Sequence, residues 1–352
     1  MIRDEHIDTA VAQGLLTARQ AAQLRALAAG EAVTPDPLAP HEDPDDERFR
    51  LIGGFNDVFV TTGILLLVSA LFGLTSTLGF GVGFAIIALA AAWGLSEVFA
   101  RRLRLALPAI TLSIMFAVAG GTVAYMLAGG ASLAAGLGDP EQSALRWTLF
   151  GVGSALAAAI HRWRFDVPID TALLAAGLVC AVVGGFAMID PAWTEQHRSI
   201  LFALLGGGVF VAATYIDATD TARLTRRSDI AFWLHLLAAP MLVQAVTSLL
   251  FGSTGDFNSA QAIGVLVLFG VFGLIALILD RRALLVSGLS YAGVAIGYLL
   301  SESLNKDASI SLTLLGLAAL VLLLSVQWRS LRRAVLALFP NGRLRHLVPP
   351  AS

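Results

Sequence analysis

The feature that most constrains this chain is its alternation between long apolar runs and short charged breaks. Runs of about 17 to 25 apolar residues can cross the roughly 30 Å hydrocarbon layer as helices. Ten stretches read this way: 58–79, 81–99, 105–127, 147–161, 169–189, 199–216, 230–251, 261–279, 282–301 and 308–328. The fourth is the shortest, and only the four residues from Leu78 to Gly81 mark a turn between the first two. Composition agrees, with 57% hydrophobic and 14% charged residues, where soluble domains carry about a quarter charged. The expected fold class is an all-α polytopic transmembrane helical bundle, and the bilayer is its first partner.

The charges between the runs test the count, because Lys and Arg accumulate in cytoplasmic loops. Of the 23 basic residues, 20 fall in alternate segments: the two tails and the breaks at Arg101/Arg102/Arg104, Arg162/Arg164, Arg223/Arg226/Arg227 and Arg281/Arg282. The opposite segments hold Arg146, Arg198 and Lys306 alone. A span missed or invented in mid-chain would destroy this split, so about ten spans with both termini cytoplasmic are expected. Trp147, Trp163, Trp193, Trp233 and Trp328 stand at or near span ends, as an interfacial aromatic belt places them. The first fifty residues are polar, so the run from Val58 is read as an anchor and no cleavable signal is expected. Lys306 is the only lysine, and this Arg skew, with abundant Ala and Gly, points to a GC-rich bacterial genome and an inner-membrane location.

Four regions follow. Residues 1–29 read as a cytoplasmic helical hairpin broken at Gly14, with Thr17 and Gln20 at capping-box spacing and Ala21, Leu24 and Leu27 as an apolar stripe. So short a hairpin cannot bury a core of its own, which implies that it docks on the membrane domain or on a protein partner, or else stays partly molten. Residues 30–50 are an acidic, Pro-rich linker, 51–328 the ten-span domain, and 329–352 a basic interfacial tail with Leu331, Val335 and Leu338 set against Arg329, Arg332 and Arg333. The acidic linker lacks the ligand spacing of a calcium loop, and the scattered basic residues form no nucleic-acid patch.

Spans one to four resemble spans seven to ten. "NDVFV" answers "SDIAF", "EVFARRLRL" answers "LILDRRALL", and "HRWR" answers "VQWRS". An even number of spans separates the copies, so a 4+2+4 parallel repeat would be related by an axis along the membrane normal.

Candidate sites are few. Glu97 and Arg101 share a helix face and form a candidate structural ion pair. Asp280 adjoins Arg281 and Arg282, and Asp57 and Asp229 stand at helix starts, where the dipole favours a carboxylate. His235 and Gln244 lie inside the seventh span. Nine residues apart, they face opposite sides of a straight helix unless Pro240 twists it. Gln244 shares a stripe with Thr247 and Ser248, and Ser287, Tyr291 and Tyr298 share a face of the ninth helix. His235, Gln244, Tyr291 and Tyr298 are therefore the candidates for a ligand- or proton-linked role, with packing as the alternative for each. Gly177/Ala181/Gly185 and Gly293/Gly297 have the spacing of close helix contacts. No cofactor or metal motif occurs: Cys180 is the single cysteine, and no second ligand accompanies His235. No paired nucleophile and base stands out either, so catalysis is not expected.

The segments "AVAQGLLTARQAAQL", "FWLHLLAAP", "DRRALLVSGLSY" and "WRSLRRAVLALFP" resemble those of uncharacterised bacterial polytopic membrane proteins, domains of unknown function with an N-terminal hairpin and about ten spans. That resemblance implies membership and no mechanism. The expected function is a non-enzymatic scaffold, sensor or assembly partner; the alternative is a carrier for a small neutral or amphipathic solute or lipid.

Overall fold

The computed structural model describes residues 7–9, 11, 21–22, 24–25, 55–77, 81–129, 140–220, 225–251 and 258–337. Met1–Asp46 forms a unit of its own. Within it Ile7 and Ala21 are buried, and Arg25 donates a hydrogen bond to Asp8 at 2.6 Å. Gly14, Thr17, Gln20, Leu27, the linker and residues 338–352 lie outside the described residues.

The second unit is all helix among its described residues. Ten long helices follow one another: α1 Phe55–Thr77, α2 Gly81–Ser96, α3 Ala106–Leu127, α4 Pro140–Phe165, α5 Ile169–Ile189, α6 Pro191–Ala218, α7 Arg226–Phe251, α8 Ser259–Leu279, α9 Ala283–Ser301 and α10 Lys306–Ala337. A π-helical turn, Glu97–Arg102, extends α2. Each helix coincides with one expected span, and nine are long and apolar enough to cross a membrane. In α9 the qualifying apolar stretch, Gly288–Ser301, is shorter, although 19 helical residues span about 28 Å. Large apolar side chains cover the outside, among them Leu66, Val211, Val267, Leu322 and Val326. Water would penalise that surface, whereas a hydrocarbon solvent accepts it. The protein is thus a polytopic helical membrane bundle.

Several boundaries differ from expectation, among them the start of the sixth helix at Pro191 and the limits of the fourth and last helices. The fourth helix runs from Pro140 to Phe165, well beyond 147–161 at both ends, because polar residues at its termini continue the backbone bonding outside the apolar run. The last helix does not break after Trp328. It continues to Ala337, with Arg332 and Leu336 buried, so residues 329–337 prolong the last helix.

Close approach explains how α3, α4 and α5 pack. A Cβ on Gly151 would lie 2.4 Å from the Ala181 nitrogen, and one on Gly177 2.6 Å from the Ala155 nitrogen. Gly120 and Gly153 meet Ala157 and Ala124 in the same way across α3 and α4. Without a solvophobic force between helices in lipid, such backbone contact supplies the dispersion energy of association. The α5 seam continues through Gly184, which faces Thr148, and not through Gly185, which faces open space. Gly293 and Gly297 approach Leu317 and Thr313 of α10, as their spacing predicts.

The groups α1–α4 and α7–α10 share four contacts, first with second, first with third, second with third and third with fourth, while α8 also touches α10. Helices α5 and α6 join the groups through contacts with α7.

Candidate functional site

Successive spans reverse direction, so the ends of α2, α4, α6, α8 and α10 share one side of the bundle with the starts of α3, α5, α7 and α9. Exposed Arg101, Arg102, Arg104, Arg226, Arg227, Arg329 and Arg333 ring this side. Three residues there, Arg104, Asp166 and Asp280, adopt left-handed backbone conformations that end their helical segments sharply. Two buried polar centres lie beneath the arginines.

The first joins α6 to α10. Arg281, directly after the left-handed turn at Asp280, reaches across to Asp217 on α6. Its Nε donates to Oδ2 at 2.9 Å, its Nη2 donates to Oδ1, and Nη2 also donates to Ser228 Oγ at 3.2 Å. Asp280 accepts from Trp328 Nε1 at 2.8 Å and lies 3.6 Å from Arg332 Nε. Arg281 and Arg332 are each 2% exposed, and the Arg282 guanidinium lies over Trp328. Asp280, which adjoins Arg281 and Arg282 in sequence, thus meets Trp328 and Arg332 of α10. Adjacent residues on a sharp turn point apart, and Arg281 finds its partner on another helix.

The second centre joins α2, α3, α4 and α5. His161 is fully buried on α4, four residues before its end. Its Nε2 is 3.0 Å from Ser96 Oγ, its Nδ1 is 2.9 Å from Asp170 Oδ2, and Ser113 Oγ is 3.4 Å from Nδ1. Asp170, Ser96 and Ser113 are fully buried too, and Asp170 Oδ1 has no hydrogen-bond partner. Phe165 and Phe116 flank the ring, with centroids at 4.5 and 5.4 Å. Around this core, Glu97 pairs with Arg101 at 3.1 Å and Arg164 at 2.7 Å. Arg162 donates to Thr171, and Arg226 of α7 pairs with Asp166.

Sequence reasoning missed His161 because ending the fourth span at residue 161 left the imidazole in an interfacial "HRWR" break. The available signal was the interval from His161 to Asp170: a short helix-to-helix turn brings such positions face to face. The Glu97–Arg101 pair is present as expected, with Arg164 as an unforeseen third member.

The other candidates separate. Helix α7 continues through Pro240, so His235 and Gln244 keep to opposite faces. His235 is fully buried against Phe210 of α6, and neither ring nitrogen has a hydrogen-bond partner. Gln244 faces α9, accepting from Tyr291 OH and donating to Ser248 Oγ, both at 3.2 Å. Tyr298 packs with Tyr291 on a cluster of Ala262, Val265 and Ala295; the Ser287 side chain lies outside the described residues. Asp57 and Asp229 sit in the first turns of α1 and α7.

Ser96, His161 and Asp170 carry the atom pairing of an acyl-transfer triad. That chemistry also needs N–H donors aimed at a developing oxyanion. Ser96 lies where α2 passes into the π-turn. The His161 imidazole, paired on both ring nitrogens, can hold a proton between Ser96 and Asp170. No protein-family model, curated protein or solved structure matches this chain.

Proposed function

We propose that this chain is a non-catalytic two-state sensor of a bacterial inner membrane, with both termini cytoplasmic, belonging with the uncharacterised polytopic proteins it resembles. The carrying observation is the bidentate Asp217–Arg281 pair, buried between α6 and the α8–α9 turn. Desolvating two charges costs several kcal/mol each, on the order of what their attraction returns. A pair of this kind contributes little net stability compared with apolar packing, and it suits a latch that specifies one arrangement and releases it. The 20 basic residues on one side support a cytoplasmic position for the latch.

The test uses the single cysteine. In a Cys180→Ala background, spin labels replace Arg102 and Arg333, which are exposed on the two four-helix groups, and pulsed electron resonance measures their separation in nanodiscs. Arg281→Met is expected to shift the distances toward a second population. An identical single distribution in both proteins refutes the two-state reading.

A carrier for a small neutral or amphipathic solute or lipid is the second reading, favoured by the Gln244–Tyr291 bond between α7 and α9, a polar contact within the apolar part of both helices. It requires solute uptake by proteoliposomes that Gln244→Leu with Tyr291→Phe abolishes.

A further inference from the structure

We propose that the Ser96–His161–Asp170 centre is a proton-binding site, and that its occupancy selects the state of the cytoplasmic side. The proposal rests on the two-state reading above and adds the stimulus.

The chemistry follows from the donors and acceptors. Ionised Asp170 accepts only, so Nδ1 carries a proton and donates to Oδ2. In a neutral ring Nε2 is then an acceptor and takes the Ser96 hydroxyl proton at 3.0 Å. When a proton arrives on Nε2, the same contact reverses and Nε2–H donates to Ser96 Oγ. The freed Ser96 O–H turns to the carbonyl one turn back, as helical serines do. Neither form of the ring leaves a buried nitrogen unpaired, so the site is built to hold both. Proton uptake changes a buried cluster of net charge −1 into a neutral ion pair, and Phe165 and Phe116 hold the ring in place in either form.

The surroundings connect the site to water and to the rest of the bundle. Ser96 adjoins Glu97, which is partly exposed within its Arg101 and Arg164 pairs. From α5, Asp170 is the charged group on the ring; α3 presents Ser113; and on α4 itself Arg162 and Arg164 are turned to Thr171 and Glu97. On α6, Asp217 is engaged by Arg281, and on α7, Arg226 is engaged by Asp166. Helix α5 carries Asp170 at its start and packs on both α6 and α7. A change at Asp170 therefore reaches the helices that bear Asp217 and Ser228.

The experiment follows both the proton and the helices. Full-length protein with 15N-labelled histidine in nanodiscs is followed by nuclear magnetic resonance as the pH is lowered stepwise from neutral. His161→Gln identifies the His161 signals, and Ser96→Ala is the milder variant should the glutamine chain fail to fold. The expected result is loss of the unprotonated Nε2 signal as pH falls, with the Arg102–Arg333 distance populations shifting in parallel in the wild type. In Ser96→Ala the protonation step and the distance change should separate. A ring that keeps one protonation state throughout overturns the proposal. A ring that titrates while the distances ignore pH, although Arg281→Met shifts them, overturns the switch and leaves the two-state reading standing. Distances that respond to neither overturn both.

Discussion

Removing one charge of the Asp217–Arg281 pair should harm the bundle far more than removing both. The side chains are 9% and 2% exposed, and Arg281 is gripped through Nε and Nη2, with Ser228 as a third contact. Arg281→Met takes from buried Asp217 its bidentate cation, and Asp217→Leu takes from the buried guanidinium its bidentate anion. Each single variant should lose about 3–5 kcal/mol, the usual result of stranding a buried charge. The double variant replaces two desolvated ions by hydrocarbon of similar reach and should fall within about 1 kcal/mol of wild type, or above it. Equilibrium unfolding in mixed anionic and mild detergent micelles, followed by far-ultraviolet circular dichroism, gives the four corners of the cycle. Asp280 and Arg332 adjoin the pair, so part of the coupling will pass through them. The reasoning fails if each single variant costs under about 1 kcal/mol, or if the double variant costs the sum of the singles.

Other outcomes follow from the same packing. Gly151→Ala drives a Cβ against the backbone of Ala181 and Gly177 and should cost about 1–3 kcal/mol. Gly207→Ala meets nothing within 4 Å and should gain up to about 1 kcal/mol through helix propensity; equal effects in the same unfolding assay would contradict the seam. Trp328→Phe removes the Nε1 donor to Asp280 and should cost about 1–3 kcal/mol, while an unchanged unfolding midpoint would show that bond to be idle. For topology, Arg227→Cys and Ser303→Cys in a Cys180→Ala background should react with a membrane-impermeant maleimide from opposite faces, the first only in inside-out vesicles; labelling of both from one face refutes the assignment.

The number and order of the long helices were legible in the sequence because hydrocarbon solvent imposes a length and a composition on anything that crosses it, and nine of them meet both. Each of the ten expected runs became one helix, even where only the residues 78–81 marked a turn between two of them. The opposite faces of His235 and Gln244 were legible too, since helical periodicity alone places them there once Pro240 leaves the helix unbroken. The Gly177 seam was legible only in part: spacing pointed to Gly185, whereas the rotation of α5 against α4 brought Gly184 to the contact.

Composition and periodicity thus determined by themselves that this protein is a helical membrane bundle, with its arginines gathered on one side. Both are local quantities, read one span at a time. Only the tertiary structure decided that Ser96, Ser113, His161 and Asp170 meet, that Arg281 belongs to Asp217, and that Arg332 points inward. Those partners lie up to 65 residues apart, and which helix faces which is settled by packing and desolvation across the whole bundle, where no single segment carries the information.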